Sequence, residues 1–201
     1  MAIKLTFTNM FQLFSSIAPF LLSFFLIMMS MFDNNLKGII YFLGVVLSSI
    51  INIFLMNLIK NERPPNAPPN CDLIELPFLS QGYNSPSLNS VFIAFTIAYL
   101  LIPMLQHNQI NYMVVGALLS IFIIDAISKI SIGCQDMISI ILGGVVGFVL
   151  GTLWYTLFKS TGNKSLLFFE ELVGNTLTCK KAAKQNFKCS VFKNGKLIKN
   201  L

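Results

Sequence analysis

The chain has 201 residues, of which 55% are hydrophobic and only 11% charged, with a mean hydropathy of +0.72. A soluble domain carries roughly 25% charged residues, so a soluble globular surface, general disorder, a collagen-like fibre and a nucleic-acid-binding arm are excluded, and an integral membrane protein is the class that fits. The net charge of +6 belongs to one end: residues 159–201 hold nine Lys against Glu170 and Glu171, a surplus of +7, and the remainder sums to −1.

Apolar runs bounded by polar loops give the elements in chain order. The first runs from about Phe11 to Phe32 and stops at Asp33-Asn34-Asn35. It is too long for a signal-peptide core and no small-residue cleavage site follows it, so it reads as retained. Residues 1–10 are expected along the membrane interface. The second run spans Gly38 to Ile59. A stretch from Lys60 to Ser87 follows, too rich in Pro to be helical throughout. The third run spans Leu88 to Leu105, the fourth Tyr112 to Ile127 and the fifth Met137 to Phe158. Each is near the ~20 residues needed to cross ~30 Å of hydrocarbon. The fold class is therefore all-α, a polytopic bundle of about five transmembrane helices. Residues 1–158 form the transmembrane domain and 159–201 a Lys-rich tail. Basic segments stay on the cytoplasmic side, so the tail and the His107 loop are expected there, and the 60–87 and 128–136 loops on the opposite side.

Three polar constellations fall at span ends on that opposite side. They are Lys60-Asn61-Glu62-Arg63-Pro64, then Ser85-Pro86-Ser87-Leu88-Asn89-Ser90, then the stretch from Ser128-Lys129 through Gly133-Cys134-Gln135 to Ser139. Their order and placement resemble the type 2 phosphatidic acid phosphatase superfamily, whose members include lipid phosphate phosphatases and vanadium haloperoxidases. The family pattern is K-x6-RP, then PSGH, then SR-x5-H-x3-D, and the resemblance covers about residues 38–158. Arg63-Pro64 and Pro86-Ser87 match it, and Ser128-Lys129 stands for its Ser-Arg, with Lys129 keeping the charge but not the bidentate geometry. At the three reacting positions this chain has Asn89, Gln135 and Ser139 where the family has His, His and Asp, and Met56 stands at the first-motif Lys position. An amide neither attacks phosphorus nor titrates near neutral pH. What the resemblance implies is thus a catalytically dead relative that keeps phosphate contacts at Arg63, Ser87 and Lys129, with Lys60 off register nearby. No cofactor or metal is implied.

Other residues carry bland readings beside sharper ones. Asp125, an acid inside the fourth span, is a functional candidate by default, but Lys129 one turn on makes a structural ion pair the preferred reading. His107 reads as a surface histidine. Cys71, Cys134, Cys179 and Cys189 show no metal-ligand spacing. Cys71 and Cys134 share a predicted face and can pair in an oxidising compartment, with two free thiols the preferred reading. Gly143, Gly147 and Gly151 let another helix approach closely, inside the bundle rather than at a dimer seam. Asp125 apart, no polar stripe marks the spans, which counts against a channel or carrier. In the tail, Ser165 to Val173 reads as a short amphipathic helix on the membrane surface, and Ser190 to Ile198 as a hairpin around Asn194-Gly195.

The expected function is a pseudo-phosphatase that binds lipid phosphate or acts as a scaffold. Its partners are membrane lipids, anionic or phosphorylated head groups among them, with a protein partner for the basic tail and no nucleic acid. The alternatives are a purely structural or assembly membrane protein with no ligand, and an active phosphatase with substituted chemistry.

Overall fold

The computed structural model describes residues 7–63, 67, 71, 83–162, 166–168, 190–193 and 196–200. Five helices occupy most of this: α1 Phe7–Phe32, α2 Lys37–Ile59, α3 Leu88–Gln106, α4 Tyr112–Ile132 and α5 Met137–Ser160. All five are long and apolar enough to cross a membrane, which supports a multi-pass integral membrane protein. Two short strands, β1 Ser190–Lys193 and β2 Lys196–Asn200, pair antiparallel in the tail with Lys193 opposite Lys196, as the hairpin reading expected.

Two boundaries depart from the sequence reading. Residues 7–10 continue α1 instead of forming a separate interfacial segment. Helix α4 runs five residues past Ile127, so Ser128 to Ile132 are helical and not loop. Gly133 ends it, because glycine tolerates the left-handed φ of 78° that closes a helix. Most of the expected amphipathic segment, 165–173, lies outside the described residues. Leu167 and Phe168 are described, and both are buried in the bundle core and not laid on a surface.

Hydrophobicity does not decide which apolar helix goes to the centre, since lipid is as apolar as leucine; small and polar residues do. Helix α3 takes the centre, with two thirds of its span buried. Its Ala94, Thr96 and Ala98 allow close neighbours, and its Phe95 stacks on Tyr99 with Tyr41 of α2 against both rings. Helix α5 lies along α3 through its glycines. A Cβ on Gly143 would come within 2.7 Å of the Ser87 carbonyl oxygen, one on Gly147 would collide with the Val91 backbone, and Gly151 faces Phe95 and Ala98. The glycine stripe is therefore the α3–α5 seam within the bundle.

The spans also carry polar groups the sequence reading passed over. Ser15, Ser23 and Ser30 face inward along α1, and Tyr41 and Thr96 share a buried hydrogen bond of 2.7 Å between α2 and α3. Three hydroxyls spread over sixteen residues of an apolar helix look incidental in sequence. Only the packed bundle shows that they occupy one face.

Candidate functional site

The C-terminal ends of α2 and α4 and the N-terminal ends of α3 and α5 meet at one end of the bundle. Ser87 is the N-cap of α3, in extended conformation, but its side chain caps nothing. The Asp136 side chain likewise makes no cap bond at the start of α5. A helix start leaves unbonded N–H groups and a partial positive charge, and here two such starts touch: the Ser87 N–H donates to the Ser139 carbonyl at 3.0 Å. Around that contact the hydroxyls of Ser87, Ser90 and Ser139 are buried with no hydrogen-bond partner. Asn52 of α2 closes the group from the side, donating to the Pro86 carbonyl at 3.2 Å and leaving its own carbonyl oxygen unpartnered. Asn84, whose N–H reaches the Asn61 carbonyl, leaves its amide nitrogen unpartnered. Buried polar atoms are normally satisfied, and each exception costs about 1–3 kcal/mol.

A second polar group adjoins it. Asp125, 1% exposed, collects on one oxygen the Ser15 hydroxyl of α1 at 2.6 Å and the Asn89 amide of α3 at 3.2 Å, with the Lys129 ammonium 3.8 Å away. Its other oxygen has no partner. The Asp125–Lys129 pair expected from the four-residue spacing is present, and Lys129 turns to this carboxylate.

The first constellation is tied to the second by a bridge between Glu62 and Tyr83, next to the Asn61–Asn84 hydrogen bond. Arg63, the residue after that bridge, is half-buried. Lys60 is the left-handed C-cap of α2 and is exposed. The third constellation is joined to the loop after α2 by a disulfide between Cys71 and Cys134, with Cα atoms 5.4 Å apart. The preference for two free thiols is thereby corrected: the fold brings residues 63 positions apart to bonding distance, which spacing in the chain does not reveal. Gln135 follows directly, with its carbonyl oxygen buried and unpartnered. His107 is exposed at the opposite end of α3. Among the described residues no cluster of His, Cys, Asp and Glu is able to hold a metal ion.

No family model, no curated protein and no solved structure matches this chain. Its chemistry has to be read from the residues themselves.

Sequence reasoning found Ser87, Asn89, Ser90, Asp125, Lys129 and Ser139 but missed Ser15, Asn52 and Asn84. An Asn deep in an apolar run was a legible signal for Asn52, because an amide in hydrocarbon needs a partner. Ser15 carried no such signal.

Proposed function

We propose that this membrane protein holds a phosphate-bearing lipid head group at the Ser87–Ser139 end of its bundle and does not hydrolyse it. The observation that carries the reading is the pair of uncapped helix starts with three unpartnered, buried serine hydroxyls between them. Hydroxyls and helix N–H groups donate to phosphate oxygens, and Arg63 adds a planar fork of donors nearby. Lys129 contributes only net charge, since it faces Asp125. The likeness of the three constellations to the type 2 phosphatidic acid phosphatases points the same way. Hydrolysis is disfavoured because Asn89 spends its amide on Asp125 and Gln135 offers no nucleophile. The tail lies in the cytoplasm in this reading, and the disulfide end faces the oxidising side.

Flotation of the protein's soluble-detergent micelles with vesicles of phosphatidic acid, against phosphatidylcholine alone, tests the reading. Preferential retention of phosphatidic acid that weakens in Arg63→Ala and Ser87→Ala supports it. Equal retention of both lipids sinks the head-group site, and phosphate release lost in Gln135→Ala sinks the non-enzyme reading.

One observation favours a second reading. The carboxylate of Asp125 links α1, α3 and α4, as a purely structural membrane component requires. Under that reading Asp125 substitutions unfold the bundle while Ser87 and Arg63 substitutions change nothing measurable.

A further inference from the structure

A lateral cavity of about 440 Å³ opens between α2 and α5, walled by Gly44, Leu47, Ser48, Phe95, Trp154 and Leu157. Its size falls within the roughly 300–1,000 Å³ typical of small-ligand sites. We propose that it seats one acyl chain of a bilayer phospholipid.

The lining selects hydrocarbon. Every polar side chain on the wall is already satisfied by the protein: Ser48 donates to the Val45 carbonyl at 2.8 Å, Thr156 to the Leu153 carbonyl at 2.9 Å, and the Trp154 indole N–H to the Ile40 carbonyl at 3.1 Å. An occupant has nothing polar to gain there. Left empty, the wall forfeits its dispersion contacts.

The geometry selects a chain over a helix. Along α2 the wall runs from Gly44 to Ile51, about 10 Å at 1.5 Å per residue, a third of a ~30 Å crossing. A helix docks where small residues let backbones approach, and those are used up here. Gly143, Gly147 and Gly151 face α3, and Gly44 is covered by the Trp154 ring, which a Cβ there would strike at 2.5 Å. The rim is large and exposed, at Leu47, Leu153 and Leu157. It is continuous with the outward-facing apolar side chains of both spans, so the surrounding lipid enters without crossing a polar barrier. The indole, pinned to Ile40, makes the seat preformed, which lowers the ordering cost of binding. Gly44, Ser48 and Asn52 follow one another at four-residue steps on one face of α2, so the groove leads toward the polar end of the bundle. The seat itself does not depend on a head-group site being there.

Trp154 is the chain's single tryptophan, so its fluorescence reports this groove alone. The full chain is reconstituted in phosphatidylcholine vesicles containing a rising fraction of lipid with dibrominated acyl chains, since bromine quenches indole on contact. A one-chain seat gives emission that falls in direct proportion to the brominated fraction. Ser48→Leu, which fills the floor, and Leu157→Phe, which narrows the exposed rim and leaves the core untouched, lose most of that quenching. Arg63→Ala keeps it, so failure here and failure of the head-group reading are told apart. Quenching that is unchanged in both filled variants overturns the proposal. So does an unquenched Trp154, and in that case cross-linking shows whether a second copy covers the groove.

Discussion

Asp125 shows how one buried side chain organises its surroundings. A carboxylate in an apolar helix is tolerated only when donors surround it, and Ser15, Asn89 and Lys129 supply them from three helices. Removing one partner of a buried charged group strands the others and typically costs about 3–5 kcal/mol. Asp125→Ala is therefore expected to lower thermal stability in detergent by that order, and Ser15→Ala by about 1 kcal/mol, the worth of a single hydrogen bond. Equal melting of Asp125→Ala and the parent would show that the network holds nothing. Ser139 behaves in the opposite sense. Its hydroxyl is buried without a partner, so Ser139→Ala removes an unmet polar group and is expected to stabilise the empty protein by about 1 kcal/mol. The same variant loses retention of phosphatidic acid. A stabilised variant with undiminished lipid retention would separate the hydroxyl from binding.

Between elements, the α3–α5 seam carries the strictest steric demand. Gly147 lies against the Val91 backbone, which cannot swing aside as a side chain does. Gly147→Val forces the two helices apart, and overpacking of this kind costs about 1–3 kcal/mol or more. Because Ser87 and Ser139 are held together by the same seam, the polar end opens with it. Gly116 of α4 is the control, for beyond its own stretch of helix backbone no atom lies within 4 Å of a Cβ built there. Gly116→Ala is expected to be neutral or slightly stabilising, since alanine is the better helix former by up to about 1 kcal/mol. Thermal melts of the two variants check this, and equal destabilisation would contradict the seam.

At the scale of the whole molecule, the proposed orientation rests on charge and on covalent chemistry. The +7 tail favours the cytoplasm, and the Cys71–Cys134 disulfide favours an oxidising compartment for the other end. Five crossings, for which all five helices are long and apolar enough, would put those two ends on opposite sides of the membrane. In sealed vesicles a membrane-impermeant maleimide added from the cytoplasmic side is expected to label Cys179 and Cys189 and to leave Cys71 and Cys134 unlabelled. A non-reduced digest is expected to yield the Cys71 and Cys134 peptides joined. Labelling of Cys179 and Cys189 only after the vesicles are opened would reverse the orientation, and separate Cys71 and Cys134 peptides would remove the disulfide.

Sequence alone determined the parts whose physics is local. Five apolar runs of near-membrane length, the polar breaks between them, the Asp125–Lys129 pair one helical turn apart and the pairing of β1 with β2 were all legible, because each depends on neighbours in the chain. So did the place of Ser87 at a helix start. Tertiary structure decided what depends on which faces meet. An apolar helix in lipid has no preferred side by hydrophobicity, so nothing in the chain order says that Ser15 reaches Asp125 across 110 residues, or that Asn52 closes over Pro86. The same holds for Cys71 beside Cys134, for the glycines of α5 spent on α3, and for the groove left where α2 and α5 part around Trp154. Those outcomes come from close packing, in which small and polar residues choose partners that periodicity cannot name.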